Sequence, residues 1–253
     1  MLSMFKLTDQ NTAKSAIRFA ARKLGLEIHR SDPVGHEPFM DMRRLSGSRR
    51  GTVIFDVGAN AGQTIKRFSE AFESPVIHAF EPSQQTFADL QRNTRLGSVH
   101  LNNFALGAEP GTLEFNENTI SDMSSFHELG PDGWGSIQRR ISVEVRTIDD
   151  YCVQNRISSI DILKSDTQGF DLEVLKGASR CFSQNRIHLI YIEITFSRTY
   201  KNQPRVDEIF KFLMDCGFAL VTFYRFKYKN NRADWSDALF INLHSRISGL
   251  AKA

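Results

Sequence analysis

The sequence predicts a doubly wound α/β fold, in which helices cover both faces of a mostly parallel sheet of seven strands that ends in an antiparallel hairpin. From Gly51 onward, short β-branched or apolar runs alternate with helical segments, a pattern typical of parallel βαβ units. The two final runs, residues 218–226 and 237–243, enclose a polar stretch that indicates a hairpin loop. A glycine-containing turn after the first run is the third observation in favour of this fold class.

Seven apolar runs supply the strands of the sheet. We predict strands at residues 52–57, 76–80, 99–105, 160–165, 189–195, 218–226 and 237–243. We predict helices at residues 63–72, 83–95, 172–183 and 206–216. Between the third and fourth of these strands, residues 112–115 and 142–147 indicate two added strands that flank a polar excursion. The polar stretch 227–236 is predicted to be the loop of the closing hairpin.

The composition is that of one globular domain with a short arm, since 41% of the 253 residues are hydrophobic and 24% are charged. A net charge of +3 is too even a balance to predict a nucleic-acid partner. No apolar run approaches the roughly 20 residues of a membrane helix, and the first residues lack the features of a secretory signal. We therefore expect a cytoplasmic protein with reduced cysteines, whose oligomeric state is not predicted.

Residues 1–50 are predicted to form a helical arm and linker, and residues 51–246 the α/β domain. Residues 12–24 place alanines on one face and basic side chains on the other, which predicts an amphipathic helix. Alanine contributes little energy to membrane insertion, so packing on the domain is favoured, and peripheral contact with a membrane is the alternative. Residues 27–50 are predicted to be irregular because prolines and glycines interrupt them.

The turn after the first strand, FDVGANAGQT, is predicted to bind a cofactor, because ligands of open α/β sheets bind beyond the carboxyl ends of the strands. A dinucleotide-binding turn has the spacing GxGxxG, but Asn60 stands where the middle glycine would be, between Gly58 and Gly62. Asp56 would repel a phosphate and attract an ammonium group. The combination favours S-adenosylmethionine, whose methionine moiety carries an ammonium group, with Gln63 beside it at the start of the helix.

A second carboxylate follows the next strand, in the motif VIHAFEPS. Glu81 lies 25 residues after Asp56 and can accept hydrogen bonds from both ribose hydroxyls of an adenosine. Such a glutamate alone is often only a helix-capping acid, but its pairing with the preceding turn favours the cofactor site. Pro82 beside it, and Asn103 and Ala105 at the end of the third strand, complete the predicted cofactor residues.

The motif IDILKSDTQGFDLEVLKGA carries the predicted chemistry at the end of the fourth parallel strand. Transfer of a methyl group to a hydroxyl must remove the hydroxyl proton, which requires a base or a metal. Asp166 is the candidate base, and Lys164 is placed to stabilise a developing alkoxide. The alternative is that Asp166 and Gln168 only cap the following helix.

Glu193 interrupts the otherwise apolar fifth strand, LIYIEITFS. An unpaired buried carboxylate is costly, so Glu193 should have a partner near the edge of the sheet. Asp166 and Glu193 together could bind a divalent cation or share a proton, and a simple hydrogen bond from Glu193 to a helix terminus is an equal alternative. In the polar excursion, His127 is a candidate base or a solvated side chain, and Trp134 could stack on a sugar or pack inward.

The chain resembles the FkbM-type methyltransferase family in FDVGANAGQT, AFEPS, the ALG after the third strand, the SS before the long loop and LKSDTQGFDLEVLKGA. The resemblance covers about residues 52–243 and implies a class I, Rossmann-like enzyme that depends on S-adenosylmethionine and, as in many members, methylates hydroxyls of sugars or polyketides. It maps the cofactor site to Asp56, Gly58, Asn60, Gly62 and Glu81, and the reaction centre to Asp166 and Glu193. Thr167 and Gln168 depart from the commoner family pattern, which has a small apolar residue and a glutamate before the glycine. Glutamine is neither a base nor an anionic metal ligand.

These features predict an O-methyltransferase that acts on a hydroxyl of a sugar, glycan or glycosylated metabolite, with Asp166 as the base and Glu193 orienting or assisting it. Two other functions are alternatives. A nucleic-acid methyltransferase would use the same cradle, but it normally has an (N/D)PP(Y/F) motif after the fourth strand, where this chain has KSDTQ. A catalytically inactive module that binds S-adenosylmethionine within a glycan assembly complex is the second alternative.

Overall fold

The computed structural model describes Ser15, Ile17 and residues 19–25, 34–47, 49–94 and 97–245. The chain divides into two compact units, Met1–Pro33 and Val34–Ala253. In the first unit residues 19–23 are helical, while the beginning of the helix predicted at 12–24 and part of the irregular stretch predicted at 27–50 lie outside the described residues. The domain boundary at residue 50 stays a prediction.

The described part of the second unit contains eleven strands and seven α-helices. The strands are β1 (Val53–Val57), β2 (Val76–Phe80), β3 (Val99–Asn102), β4 (Ala105–Leu106), β5 (Gly111–Asn118), β6 (Ile137–Arg146), β7 (Ile160–Ser165), β8 (Ile187–Thr195), β9 (Phe218–Phe223), β10 (Lys227–Lys229) and β11 (Arg232–Asn242). The helices are α1 (Pro38–Leu45), α2 (Gln63–Ala71), α3 (Gln84–Asn93), α4 (Ile148–Gln154), α5 (Asp171–Lys176), α6 (Ser179–Ser183) and α7 (Val206–Asp215). Within the described part of this unit, a single 3₁₀ turn spans Ser121–Met123.

Eight of these strands form the main sheet, in the order β10–β11–β8–β7–β1–β2–β3, with β9 also paired to β11. Strands β1, β2, β3, β7 and β8 are parallel, and β11 runs antiparallel to β8. Strands β9 and β10 pair with different parts of β11, on the edge that β8 leaves open. The sheet therefore has seven strand positions, the outermost of them interrupted, which confirms the predicted fold class.

The closing hairpin is longer than the sequence analysis predicts. The predicted loop 227–236 instead contains β10 and the first residues of β11. Asn230 and Asn231 both have a left-handed backbone, with φ of 50° and 60°, and they connect Lys229 directly to its strand partner Arg232. This is the geometry of a two-residue hairpin turn. The loop prediction was wrong because the polar residues around this turn belong to the edge strand β10 and to the first residues of β11.

Two other predicted elements are interrupted. The helix predicted at 172–183 is divided into α5 and α6 near Gly177, where a Cβ atom would lie 2.0 Å from the Gly107 carbonyl oxygen. The third strand ends at residue 102, and residues 105–106 pair with β6 instead. Strands β4, β6 and β5 form a separate three-stranded sheet, which contains both of the added strands.

Helix α1 lies in the stretch that was predicted to be irregular. Pro38 occupies the first turn, and the Glu37 carboxylate accepts a hydrogen bond from the Met40 backbone N–H at 2.7 Å. Proline suits this position because the first turn of a helix leaves its N–H groups unpaired. Pro38 therefore begins a helix here, rather than breaking one.

Both faces of the main sheet are buried, as a doubly wound fold requires. Ile54 and Ile162 face one side of the sheet, and their neighbours Phe55 and Leu163 face the other. Helices α1, α2 and α3 pack on the first face, and α4 to α7 pack on the second. Among the described residues, no helix has the length and apolar character needed to cross a bilayer.

Candidate active site

The turn after β1 is held close to two neighbouring strand ends. The backbone N–H groups of Gly58 and Ala59 donate to the Phe80 carbonyl oxygen, at 3.1 and 3.0 Å. Gly58 has a φ of +74°, and a Cβ atom there would lie 1.9 Å from the Asp166 carbonyl oxygen. Glycine fits because it has no side chain and adopts positive φ at little cost. The turn therefore joins the carboxyl ends of β1, β2 and β7.

Asn60 and Gly62 continue this turn in the left-handed conformation, with φ of 45° and +93°. The side-chain amide of Asn60 donates to Asp122 Oδ1 at 2.6 Å, and its backbone N–H donates to Glu81 Oε2 at 3.1 Å. Gly62 is the N-cap residue of α2. Asn60 therefore connects the turn by hydrogen bonds to the end of β2 and to the polar segment between β5 and β6.

Glu81 is a buried carboxyl group at the end of β2, with 6% of its surface exposed. Its oxygens accept hydrogen bonds from the backbone N–H groups of Asn60 and Ser83, at 3.1 and 2.9 Å. Burial raises the pKa of Glu81 to about 7, against the opposing effect of these two hydrogen bonds. A carboxylate has about four acceptor sites, so Glu81 can also accept hydrogen bonds from a ligand.

A cavity of about 250 Å³, which we name the donor cavity, lies at the carboxyl ends of β1, β2 and β7. The predicted cofactor residues that line it are Gly58, Asn60, Gln63, Glu81, Pro82 and Ala105. Its apolar walls include Phe80, Leu106, Phe115, Phe126 and Phe170. Thr167, also in the wall, has a buried Oγ1 atom with no hydrogen-bond partner among the described residues. Apolar walls with a few directed polar groups suit a nucleoside ligand.

The other predicted cofactor residues, Asp56, Gly62 and Asn103, do not line the donor cavity. The Asn103 amide supports the wall from outside, because it donates to the carbonyl oxygens of Glu81 and Pro82 at 2.9 and 3.2 Å. Gly62 packs near Leu90 and Thr94, whereas Asp56 is fully buried behind the turn.

Asp56 and Lys164 are register partners on β1 and β7, and both are buried. Lys164 Nζ lies 2.9 Å from Asp56 Oδ1, 2.9 Å from the Gly58 carbonyl oxygen and 3.8 Å from Asp166 Oδ2. Burial lowers the pKa of Lys164, but the negative charges of Asp56 and Asp166 outweigh burial and raise it. The charged lysine is thus held between the glycine turn and Asp166.

Gln168 connects the two acids of the predicted reaction centre. Its amide nitrogen donates to Asp166 Oδ1 at 2.8 Å and to Glu193 Oε1 at 3.3 Å. The Tyr200 hydroxyl donates to the amide oxygen of Gln168 at 2.7 Å, which fixes the orientation of the amide. Asp166 and Glu193 therefore lie together, bridged by the residue that departs from the family pattern.

Burial, followed by the nearby charges of Asp166, Asp171 and Asp237, raises the pKa of Glu193 well above its usual range. Within the described residues, no three His, Cys, Asp or Glu side chains form a group that could hold a metal ion. The Gln168 amide also donates to both carboxyl groups, where a cation would need acceptors only. This arrangement does not fit the divalent cation considered at Asp166 and Glu193.

A second cavity, of about 330 Å³, adjoins the donor cavity, and we name it the acceptor cavity. Asp122, Asp166 and Gln168 line both cavities. The other residues around the acceptor cavity are Ile120, Met123, Trp134, Glu193, Thr195, Thr199, Asp234 and Trp235. Asp166 therefore stands at the junction of two cavities that differ in character.

The two candidates in the polar excursion have different positions. Trp134 lines the acceptor cavity, whereas His127 lines neither cavity. His127 Nε2 is hydrogen-bonded to the Gly169 carbonyl oxygen at 3.1 Å, and burial lowers the pKa of His127. Asp234 and Trp235 were not predicted as site residues, because the hairpin around them was predicted to be a loop. The asparagine pair 230–231 is the signal that could have placed them on a strand.

The strand order, the helices on both faces and a nucleoside-sized cavity at the carboxyl edge define an α/β domain of the class I methyltransferase type. The chain matches the family model described as "Methyltransferase FkbM domain" over residues 56–220. It therefore belongs to the FkbM methyltransferase family, as the sequence motifs predicted.

Named relatives are similar to part of this chain. The 2-O-methyltransferase NoeI of Sinorhizobium fredii is 27% identical over 163 residues, which cover 60% of this chain and 66% of that protein. The hexuronic acid methyltransferase AglP of Haloferax volcanii is 25% identical over 154 residues, which cover 59% of each protein. Among solved structures, magnesium protoporphyrin IX methyltransferase from Synechocystis PCC 6803 superposes with a TM-score of 0.45 at 11% identity, covering 81% of this chain and 76% of that one. The chain thus spans less than two thirds of the length of these two curated relatives.

Proposed function

We propose that this domain transfers a methyl group from S-adenosylmethionine to a hydroxyl group of a sugar or glycan. The observation that carries the proposal is the junction of the donor and acceptor cavities at Asp166. The name of one relative specifies 2-O-methyl transfer and that of another a hexuronic acid, which supports a sugar hydroxyl as the acceptor.

The donor cavity fits an adenosine that lacks phosphate groups. Glu81 offers carboxylate oxygens to the ribose hydroxyls, which works for a ligand without a 2′-phosphate. The apolar walls offer the adenine ring a surface that excludes water. The buried Thr167 Oγ1 atom has no hydrogen-bond partner among the described residues, so it can form a hydrogen bond with the ligand. Asp56 acts indirectly in this proposal, because it lies behind the wall and neutralises Lys164. The bound cofactor would supply an electrophilic sulfonium methyl group.

Asp166 accepts the proton of the acceptor hydroxyl as the hydroxyl oxygen attacks. Its side chain is 38% exposed, so a substrate in the acceptor cavity can reach it. Lys164 Nζ lies 3.8 Å from one oxygen of Asp166, and the Gln168 amide donates to the other oxygen at 2.8 Å. Glu193 also lines the acceptor cavity, where its carboxyl group can orient the sugar. Lys164 acts on Asp166 rather than on the sugar, because it does not line the acceptor cavity.

Positioning carries much of the rate in this scheme, since a sulfonium methyl needs mainly alignment with the attacking oxygen. No step passes through a metal ion, because the Gln168 bridge does not fit one. The cytoplasmic location stays a prediction.

A screen with radiolabelled methyl donor tests the proposal against its two alternatives. The purified full chain is incubated with sugars and glycosides, with RNA and with DNA, and label in each product is counted. We expect label on sugars alone. Label on nucleic acid would identify a nucleic-acid methyltransferase. Binding of S-adenosylhomocysteine by calorimetry with no transfer to any acceptor would instead indicate the inactive binding module.

A further inference from the structure

The acceptor cavity has an uneven charge. Four carboxyl groups line it, those of Asp122, Asp166, Glu193 and Asp234, while its lining contains no lysine, arginine or histidine among the described residues. Asp122, Asp166 and Glu193 have hydrogen-bond partners in the network around Gln168 and Asn60. Asp234 differs from these three.

Asp234 is a buried residue whose carboxyl group has no partner among the described residues. Asp234 is 5% exposed, and its side chain has neither a hydrogen bond nor an ion pair among the described residues. Its backbone carbonyl oxygen accepts hydrogen bonds from the N–H groups of Phe196 and Ser197, at 2.8 and 3.2 Å. The carboxyl oxygens of Asp234 are therefore free to accept hydrogen bonds from a ligand in the cavity.

The aromatic walls of the acceptor cavity suit a sugar ring. Trp134 and Trp235 both line it, and these are the only two tryptophans of the 253-residue chain. Indole faces offer a large apolar surface against which the C–H face of a sugar can pack.

The lysines nearest to these indoles are oriented toward the rings. Lys229 Nζ lies 5.3 Å from the Trp134 ring centroid and donates to the Asp132 carbonyl oxygen at 2.7 Å. Lys227 Nζ lies 5.7 Å from the Trp235 ring centroid. Neither lysine lines the cavity. An acidic sugar inside it would therefore meet four acidic residues, with no cationic side chain among the described residues of the lining.

We infer that Asp234 is the specificity-determining residue of an acceptor subsite that takes neutral or amino sugars and rejects uronic acids. The inference rests on the proposed function for the identity of the acceptor. Hydroxyl and ammonium groups donate hydrogen bonds to Asp234, whereas the carboxylate of a uronic acid is repelled by it. A like charge placed against a partner is a common means of excluding a competing ligand.

Tryptophan fluorescence tests the inference without depending on methyl transfer, because both indoles of the chain lie in this cavity. The protein, saturated with S-adenosylhomocysteine at pH 7.5, is titrated with methyl glycosides of the glucose and galactose series, each in neutral, 2-amino and 6-carboxylate form. In at least one series we expect the neutral and amino glycosides to bind at least tenfold more tightly than the uronic acid.

The same titrations on Asp234→Asn test the residue. We expect the preference over the uronic acid to fall at least fivefold, since the amide removes the negative charge and keeps the shape. Asp215→Asn is the matched control, because Asp215 is exposed on α7 and pairs only with Lys211 there, and it should leave the preference unchanged.

Equal affinity for the neutral and acidic glycosides, no binding of any of them, or an unchanged preference in Asp234→Asn would overturn the inference. Selective binding without transfer of labelled methyl to any of these glycosides would support the subsite while counting against the proposed function. The two failures are therefore distinguishable.

Discussion

Lys164 balances the charges at the carboxyl edge of the sheet. It is ion-paired with Asp56 inside the protein and lies 3.8 Å from Asp166, which faces both cavities. Removing one member of a buried pair leaves the other charge without compensation. Lys164 is therefore important for the stability of the fold.

Replacement of Lys164 by methionine is expected to lower the free energy of unfolding by about 3–5 kcal/mol, because Asp56 would remain buried without its partner. Urea denaturation followed by circular dichroism measures this change. The double variant Asp56→Asn, Lys164→Met serves as the control and should recover much of the loss, since it removes both charges. A Lys164→Met protein as stable as the wild type would contradict this account of the pair.

The raised pKa of Glu81, about 7, predicts a pH-dependent affinity for the donor. Only the ionised carboxylate accepts hydrogen bonds from both ribose hydroxyls, so affinity is lost as the pH falls through this pKa. Between pH 8 and pH 6 the dissociation constant of S-adenosylhomocysteine should rise about tenfold, in inverse proportion to the ionised fraction of Glu81. Calorimetry at pH 6, 7 and 8 measures the change.

Glu81→Gln is the control for this titration. Its amide can accept one hydrogen bond but has no proton to gain in this range, so binding should be weaker at pH 8 and nearly independent of pH. An equally steep pH dependence in Glu81→Gln would assign the effect to another group.

At the scale of elements, the close contact between the loops after β1 and β7 depends on Gly58. Gly58→Ala places a Cβ atom 1.9 Å from the Asp166 carbonyl oxygen, so the two loops must separate. We expect at least a tenfold loss of affinity for S-adenosylhomocysteine and a lower midpoint of thermal unfolding. Calorimetry and a thermal melt measure the two effects.

Gly51→Ala is the matched control for Gly58→Ala. Gly51 has nearly the same φ, +73°, but a Cβ atom there would have nothing within 4 Å. Gly51→Ala should lower the free energy of unfolding by about 1–2 kcal/mol, because alanine is strained at this φ. The affinity for S-adenosylhomocysteine should not change. Similar losses of affinity in both variants would show that backbone strain, rather than the contact between the loops, controls the site.

The parallel strands could be predicted from the sequence because they are buried on both faces and form continuous apolar runs. The runs that contain Phe55 and Leu163 are examples. The hairpin of β10 and β11 could not be predicted in this way, because β10 is a polar edge strand and β11 also begins in polar residues. Asp234 and Trp235 lie on that hairpin, so the cofactor side of the site was more predictable than the acceptor side.

The contacts of single side chains were also beyond prediction from one sequence. Gln168 was recognised as a departure from the family pattern, but its bridge to Asp166 and Glu193 depends on the approach of β7 and β8 and on the Tyr200 hydroxyl. Such contacts join residues that are distant in the chain. Tyr200 accordingly carried no signal in the motifs.

At the scale of the whole molecule, the sheet brings the two cavities together. The donor cavity is formed mainly from the ends of β1, β2 and β7, and the acceptor cavity uses residues from β8, β11 and the excursion between β5 and β6. Asp166 follows β7, which lies between β1 and β8 in the sheet. The strand order therefore places the proposed base between the two substrates.

The most direct test of this account is the rate of methyl transfer by Asp166→Asn on a sugar that the wild-type protein methylates. Loss of the base should lower the turnover rate by about 100-fold or more. The affinity for S-adenosylhomocysteine, measured by calorimetry on the same preparation, should change less than threefold, because the carboxylate is needed for the proton and not for the nucleoside. Transfer at the wild-type rate by Asp166→Asn, with donor binding intact, would contradict the central claim that Asp166 removes the proton of the acceptor hydroxyl.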